Sequence, residues 1–250
     1  MFKNLDMTRI KTGALLIAVI ALIAYIDSFF LTWLFLGVAY MLAFHEAMRL
    51  MSIKDDKLYI YALVLWFVAF LYPNPDDLIF IALIIYISHM IFSGDVNFRK
   101  IEPLAYPVSS FLFLLALYRN FGMEAVIWLV LIVATTDIAA YFVGKAIGKR
   151  KFNPISPNKT WEGVIGGVAA ATIVGYIYGD GYVLGALAVA VSLFVSIASI
   201  FGDLFESFLK RNAGVKDSGS ILPGHGGVLD RVDGYMFGAI VMVVMLRGLA

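Results

Sequence analysis

Hydrophobic and polar positions fall in long blocks along this chain, with apolar runs separated by short polar clusters. Because about 20 apolar residues cross ~30 Å of hydrocarbon as a helix, such runs predict membrane-spanning helices. The predicted ranges are 10–26, 29–48, 58–72, 77–93, 103–119, 124–144, 162–178, 182–204 and 231–248. We therefore expect an all-α, polytopic integral membrane protein with about nine transmembrane helices.

The first apolar run follows Lys3, Arg9 and Lys11, as the core of a signal peptide would. No clean small-x-small cleavage signal follows it, and the next apolar run begins at Phe29. We interpret it as the first membrane span.

Lysine and arginine positions test the division into spans, because these residues concentrate in cytoplasmic loops. They occupy every second loop, and only Arg119 and Arg247 fall elsewhere, whereas the opposite loops hold Asp27, Glu124 and Asp180. The pattern predicts a cytoplasmic N-terminus, a C-terminus outside, and a cytoplasmic loop between the eighth and ninth spans. We expect a multi-pass protein of a bacterial-type inner (plasma) membrane, with its active site on the cytoplasmic side.

Composition narrows the possible functions. A net charge of +1 gives no global attraction to nucleic acid, and the absence of cysteine excludes disulfides and thiol chemistry. Residues 1–100 carry few polar groups within their spans and are predicted to be a scaffold, with a catalytic region in residues 101–250. Within the scaffold, His89 and the pair His45-Glu46 are expected to be interfacial or helix-pairing residues.

Polar residues recur at helical spacing from the sixth span onward. Asp137, Tyr141, Gly144, Lys145 and Gly148 share one helix face, which predicts either a polar cavity or a close helix contact at the two glycines. In the eighth span a polar stripe, predicted to be one wall of a wet cleft, consists of Ser192, Ser196, Ser199, Asp203, Ser207 and Lys210.

The loop before the seventh span reads KRKFNPISPNKTWEG. Its three leading basic residues suit contact with anionic lipid headgroups. Ser156 and Pro157 are predicted to be an N-cap and a first helical position, which would place Lys159 beside a helix N-terminus that favours anions.

The densest polar segment runs from Ser207 to Asp233. Its basic residues suit phosphate, and its glycines allow backbone to approach a ligand. Asp230 and Asp233 lie three residues apart, so they form a plausible Mg²⁺ platform to which Asp203 could add a ligand. His225 is open to three interpretations: an acid, a phosphate contact or a loop residue. Together these are the usual parts of phosphoryl or nucleotidyl transfer.

The same segment resembles the signature of the phosphatidate cytidylyltransferase (CDP-diacylglycerol synthase) family. The resemblance rests on the pattern Ser207-x-Leu209-Lys210-Arg211-x4-Lys216-Asp217-x-Gly219-x2-Leu222-Pro223-x-His225-Gly226-Gly227-Val228-x-Asp230-Arg231-Val232-Asp233. Similar upstream positions are Asp137, Ala140-Tyr141, Gly144-Lys145, Gly148-Lys149 and Ser156-Pro-Asn-Lys-Thr-Trp-Glu-Gly. The likeness covers the C-terminal half of the chain.

The resemblance implies transfer of CMP from CTP to phosphatidic acid, giving CDP-diacylglycerol and pyrophosphate. It implies a catalytic set of Asp203, Asp230, Lys210, Arg211, Lys216, Arg231 and His225. The expected substrate-binding residues are Lys159, Ser156, Ser207, Asp137, Asp217, Gly226 and Gly227. Mg²⁺ is expected on Asp203, Asp230 and Asp233. A second cation such as K⁺ and a homodimer stay open, and no nucleic-acid partner is expected.

Two other classes of function remain as alternatives. A CTP-using polyprenol or dolichol kinase would transfer the γ-phosphoryl group and release CDP instead of pyrophosphate. An ion-coupled transporter would use Asp137 and the serine stripe as a path, but it leaves the segment from Ser207 to Asp233 unexplained, as does a non-enzymatic lipid-binding role.

Overall fold

Helices dominate the computed structural model, which describes residues 7–248. In chain order they are α1 (Met7–Ile26), α2 (Phe29–Leu50), α3 (Lys57–Leu71), α4 (Leu78–Ser93), α5 (Ser109–Ile147), α6 (Trp161–Gly179), α7 (Gly185–Asn212) and α8 (Leu229–Gly248). A hairpin of β1 (Lys151–Asn153) and β2 (Ser156–Thr160) precedes α6. Lys3, part of the predicted cytoplasmic N-terminus, lies outside the described residues.

The chain is a helical membrane protein by the length and composition of its helices. Five stretches of the described residues are long and apolar enough to cross a membrane: Phe29–Leu50, Pro75–Ser93, Phe98–Ile147, Trp161–Gly179 and Gly185–Asn212. Ile10–Ile26 and Lys57–Leu71 are shorter apolar helices. Within α5, Gly122 has φ 79° and interrupts the helical geometry between two of the predicted spans. Nine crossings and the orientation of the termini stay predictions.

Two compact units make up the fold, and each is assembled from two chain segments. The first unit comprises Met1–Asn120 and Asn212–Arg231, and the second comprises Phe121–Arg211 and Val232–Ala250. Most of the signature segment thus folds with the N-terminal helices. The functional boundary predicted near residue 100 stays a prediction.

Aromatic packing joins α2 to α3 in the first unit. The ring centroids of Trp33 and Phe70 lie 4.9 Å apart, and those of Tyr40 and Trp66 lie 5.0 Å apart. Trp33 Nε1 donates a hydrogen bond to the carbonyl of Trp66 at 3.0 Å. A Cβ at Gly37 would overlap the Trp66 indole, so this glycine lets the two helices approach.

A stripe of small residues brings α6 against its neighbours in the second unit. The buried residues of α6 are spaced four apart: Gly163, Gly167, Ala171, Gly175 and Gly179. A Cβ at Gly163 would lie 2.7 Å from the carbonyl oxygen of Ala140, and one at Gly167 equally close to that of Thr136. The stripe therefore allows α6 to contact the backbone of α5, as small residues do in membrane helices.

The hairpin differs from the sequence prediction for Ser156. Ser156 opens strand β2 and pairs with Asn153 instead of capping a helix. Thr160 is the N-cap of α6, and its Oγ1 accepts a hydrogen bond from the Gly163 amide at 3.2 Å. The antiparallel pairing extends the chain up to Thr160, so the helix begins later than the Ser-Pro pair indicates.

Labelling of single cysteines should establish the orientation of the chain, since the native sequence has none. Gly181→Cys, at an exposed position with open space around it, should react with a membrane-impermeant maleimide in spheroplasts with an intact inner membrane. Ser220→Cys, exposed in the signature segment, should react only after permeabilisation. Labelling of Ser220→Cys before permeabilisation would reverse the predicted topology.

Candidate functional site

A cavity of about 490 Å³ lies in the second unit among α5, β2, α6 and α7. Its lining comprises Thr136, Asp137, Ala140, Tyr141, Gly144, Lys145, Ser156, Asn158, Lys159, Thr160, Gly163, Val164, Ile200 and Asp203. The volume falls within the range of ~300–1,000 Å³ usual for small-molecule sites. Asp137, Tyr141 and Lys145, which share the predicted helix face, all lie in this lining, and the predicted cytoplasm-facing polar cleft stays a prediction.

Lys159 and Asp203 form an ion pair at this cavity, with Nζ and Oδ2 2.5 Å apart. The two side chains are 23% and 30% exposed, so each is accessible to a ligand. Ser207 Oγ donates a hydrogen bond to the other oxygen of Asp203 at 3.3 Å. Strand β2 and helix α7 thus bring together a cation and an anion that lie far apart in sequence.

The two glycines of the Asp137 face also make the helix contact that was the alternative interpretation. A Cβ at Gly144 would lie 3.1 Å from Thr160 Oγ1, and one at Gly148 would lie 2.6 Å from the same atom. The face therefore serves both purposes, since its polar residues line the cavity and its glycines admit the N-cap of α6.

The polar stripe on α7 does not line the cavity along its whole length. Ser192, Ser196 and Ser199 are at most 2% exposed, and Ser196 Oγ lies 2.7 Å from Thr136 Oγ1. These serines pack between helices, so their predicted place in a wet cleft is wrong. Asp203 is the member of the stripe that reaches the cavity.

Lys210 forms an ion pair with Glu206 one helical turn earlier on α7. Glu206 is fully buried and Lys210 is largely buried. Burying a charge without a partner is costly, so each group stabilises the other. The sequence interpretation missed Glu206, although an acidic residue four positions before a lysine is a usual sign of such a pair.

Asp233 lies on α8 close to α7. A Cβ at Gly202 would overlap the carbonyl oxygen of Asp233, which shows how closely the two helices approach. The Asp233 carboxylate interacts electrostatically with Asp203, Asp137 and Lys210. The second unit therefore gathers three of the predicted acidic residues around one region.

The remaining signature residues form a tight loop in the first unit. The His225 amide donates to the carbonyl of Leu222 at 2.8 Å across Pro223 and Gly224, and Gly224 has φ 76°. Proline followed by a residue with positive φ is typical of a type II turn. Gly226 has φ 83°, and a Cβ there would lie 2.6 Å from Asp230 Oδ2.

Asp230 holds this loop through one carboxylate oxygen. Oδ2 accepts hydrogen bonds from the Ser218 amide at 2.9 Å and from the Gly227 amide at 2.8 Å, and Ser218 Oγ lies 2.9 Å from the same oxygen. Ser218 and Gly227 are thereby tied to the first turn of α8. The structure gives Asp230 an organising contact, and its predicted part in metal binding stays a prediction.

Glu46 of α2 is the residue of this loop system that sequence reasoning misplaced. It was expected to be an interfacial or a helix-pairing residue, and its exposure of 1% contradicts the interfacial alternative. Its carboxylate accepts hydrogen bonds from Ser218 Oγ at 2.9 Å, from the Val228 amide at 3.0 Å and from the Leu229 amide at 2.8 Å. The position of this carboxylate within an apolar span indicates a functional or structural role that the sequence interpretation overlooked.

Other predicted residues of the loop lie at its surface. Lys216, Asp217 and Arg231 are exposed, and Arg231 Nε donates to the carbonyl of His225 at 3.0 Å. His225 is partly buried, and its Nδ1 has no hydrogen-bond partner among the described residues. Arg211, at the end of α7 in the second unit, is exposed as well. Their assignment to catalysis or binding stays a prediction.

No set of three or more histidine, cysteine, aspartate or glutamate side chains within residues 7–248 is arranged to hold a metal ion. Mg²⁺, however, commonly uses only one or two carboxylates, with phosphate oxygens and water as its remaining ligands. Asp203 and Asp233 in the second unit offer such hard oxygen donors. These carboxylates therefore suit a Mg²⁺ ion whose other ligands are the phosphate oxygens of a substrate and water.

Comparison with known proteins covers almost the whole chain. Residues 7–249 match the profile of the Cytidylyltransferase family. A Helicobacter pylori (strain J99) protein named phosphatidate cytidylyltransferase is 40% identical over 244 residues, which are 96% of this chain and 92% of that protein.

Shorter matches with a higher percentage of identical residues occur in proteins of other bacteria. The phosphatidate cytidylyltransferase of Brucella suis biovar 1 is 51% identical over 135 residues, 48% of each chain. That of Bacillus subtilis (strain 168) is 44% identical over 125 residues, which are 47% of this chain and 45% of that protein.

Lys159→Ala should weaken the binding of a phosphate-bearing substrate, because Lys159 contributes a positive charge to the cavity. A charge-assisted hydrogen bond is worth about 1.5–3 kcal/mol, so we expect an apparent KM roughly ten-fold higher or more. The matched control is Lys151→Ala, which removes an exposed lysine from the same hairpin. Unchanged apparent affinity for every phosphate-bearing substrate would reject this role for Lys159.

Proposed function

Because this chain belongs to the Cytidylyltransferase family, whose profile matches residues 7–249, we propose that it transfers CMP from CTP to phosphatidic acid. The products are CDP-diacylglycerol and pyrophosphate. The observation that carries the proposal is the identity of 40% to a phosphatidate cytidylyltransferase over 92% of that protein's length.

The cavity of the second unit supports this activity by its chemistry. Its lining includes Lys159 and Lys145, which suit phosphate, Asp203, which suits a cation, and Asp137, which we propose helps to bind substrate. One substrate is a lipid whose phosphate lies at headgroup level, and the other is a soluble nucleotide. A polar cavity between apolar helices suits an enzyme that must accept both.

The reaction requires positioning more than proton transfer. An oxygen of the lipid phosphate, already ionised at neutral pH, attacks the α-phosphorus of CTP in line. The new oxygen–phosphorus bond forms as the bond to the β-phosphate oxygen breaks, and pyrophosphate leaves with that electron pair. A strong general base is therefore unnecessary, and electrostatic stabilisation of the phosphates provides most of the rate.

The basic side chains neutralise the negative charge of the substrate phosphates. Lys159 lies in the cavity, and Lys210 lies in the same unit with its own charge balanced by Glu206. Arg211, Lys216 and Arg231 are exposed and suit contact with a soluble, highly charged nucleotide. Arginine holds phosphate through a fixed fork of donors, whereas lysine acts as a point charge.

Asp203 and Asp233, both in the second unit, are proposed to bind Mg²⁺. Asp230, which the sequence also predicts to be a ligand, is proposed to bind Mg²⁺ as well. When bound, the ion would neutralise the triphosphate and stabilise pyrophosphate as a leaving group. Lys159 Nζ pairs with Oδ2 of Asp203, so the lysine lies beside the carboxylate that would hold the ion and is placed to contact a phosphate oxygen there.

We place the chain in a bacterial plasma membrane with nine crossings, its N-terminus in the cytoplasm and its active site on the same side. Alternation of basic loops along the sequence supports this orientation. It gives the cavity access to CTP, which is a cytoplasmic metabolite.

Two radioactive forms of CTP separate this function from a kinase activity. The purified full chain, incubated with phosphatidic acid and Mg²⁺, should move label from the α-phosphorus into lipid and release γ-label as pyrophosphate. Transfer of γ-label into a polyprenol, dolichol or other lipid alcohol, with release of CDP, would instead support the kinase. Absence of CTP-dependent product would contradict the proposal.

Asp230→Asn should abolish product formation while leaving the loop folded. The amide oxygen of asparagine can still accept from Ser218 and Gly227, so the substitution mainly removes the negative charge. We expect a loss of about 100-fold or more in turnover, as for other groups that act on the charge of a transition state. Asp180→Asn, at an exposed position outside the site, is the matched control, and wild-type turnover in Asp230→Asn would remove Asp230 from catalysis.

A further inference from the structure

The buried carboxylate of Glu46 accepts hydrogen bonds from the segment 218–229. Its three donors are Ser218 Oγ and the amides of Val228 and Leu229, at 2.8–3.0 Å. Val228 and Leu229 stand at the start of α8, where amides have no partner within the helix and the helix dipole is positive. Glu46 is therefore held at the N-terminus of α8 by backbone dipoles.

Glu46 also explains two glycines of the signature. A Cβ at Gly219 would overlap Glu46 Oε1, and a Cβ at Gly227 would overlap Ser218 Oγ and both carboxylate oxygens of Glu46. Neither glycine is among the residues with positive φ, so backbone conformation does not require glycine at these positions. The Glu46 carboxylate occupies the space of a Cβ at Gly219, and at Gly227 the carboxylate and the Ser218 hydroxyl occupy it together.

The contacts continue from Glu46 to Asp230 through Ser218. Ser218 Oγ lies 2.9 Å from Glu46 Oε2 and 2.9 Å from Asp230 Oδ2, and its single proton can be donated to only one of them at a time. The Gly227 amide donates to Asp230, while the amides of the next two residues donate to Glu46. The same loop residues thus hold both carboxylates.

We propose that Glu46 is a positioning residue for the transfer reaction, which fixes the start of α8 and thereby the direction of the Asp230 carboxylate. The proposal rests on the function proposed above for Asp230. It assigns a role in the reaction to α2, which belongs to the region that the sequence predicted to be only a scaffold. Glu46 touches no reacting atom in this scheme and acts through Ser218, Gly227 and the first turn of α8.

Glu46→Gln tests the proposal with little change in side-chain volume. The amide group of glutamine has to face one of the loop's donors, so at least one hydrogen bond to the loop is lost. We expect kcat to fall about 10- to 100-fold, the range for groups that orient a ligand from outside, with KM for CTP and for phosphatidic acid within about two-fold of wild type. The matched control is Glu124→Gln, which changes an exposed glutamate two residues after the kink at Gly122 in α5.

Hydrogen exchange supplies a readout that does not depend on turnover. The amides of Gly227, Val228 and Leu229 should exchange faster in folded Glu46→Gln than in wild type, with unchanged exchange in the buried part of α7. Unchanged kcat, or unchanged exchange of these amides, would overturn the proposal. Should the wild-type protein itself form no CTP-dependent product, the proposed function fails, while the exchange measurement still decides whether Glu46 orders the loop.

If Glu46→Gln does not fold, a double-mutant cycle of Gly219→Ala and Glu46→Asp tests the proposal instead. Gly219→Ala alone should lower turnover, because its methyl group meets the Glu46 carboxylate. In a Glu46→Asp background the carboxylate is one methylene further back, so Gly219→Ala should cost less than it does in wild type. Equal fold-losses in the two backgrounds would show that Gly219 does not make room for Glu46 and would overturn the proposal.

Discussion

Burial of carboxylates among apolar helices is the constraint on which the rest of this structure depends. An ionised group that leaves water has to find charge or hydrogen bonds within the protein. Each compact unit meets this requirement in its own way. In the second unit the fully buried Glu206 pairs with Lys210, and the partly exposed Asp203 pairs with Lys159. In the first, Glu46 takes its compensation from amides at the start of α8. The polar groups of the site are thus also the groups that keep its carboxylates stable.

The fold also requires helices and loop backbone to approach their neighbours closely. This requirement explains why glycine is frequent in the C-terminal half. On α6 the small residues recur every four positions and let whole helices meet backbone to backbone. In the signature loop Gly224 and Gly226 are required by positive φ, whereas Gly219 and Gly227 are required by a neighbouring side chain. One residue type therefore meets three different physical demands, which the sequence alone does not separate.

The helices and the cavity face of α5 could be predicted from sequence because hydropathy and helical spacing are local properties. Asp137, Tyr141 and Lys145 share a face whatever the rest of the chain does. Ser156 was misjudged because pairing with Asn153 overrode a local capping signal. The serines of α7 were misjudged because spacing shows which residues share a face, but not whether that face meets water or Thr136. Glu46 could not be placed because its partners lie 172 or more residues further along the chain.

The distance along the chain between Glu46 and its hydrogen-bond donors also affects the order of events during synthesis of the protein. A ribosome adds about 5–20 residues per second, so Ser218 is synthesised on the order of 10–30 s after Glu46, which lies 172 residues earlier. During that interval α2 has already emerged, and its carboxylate has none of the donors that later surround it. These donors are not all present until synthesis reaches the last eighth of the chain. Completion of the first unit therefore requires residues made near the end of synthesis, and a chain truncated before residue 218 would lack all three donors that Glu46 uses in the full chain.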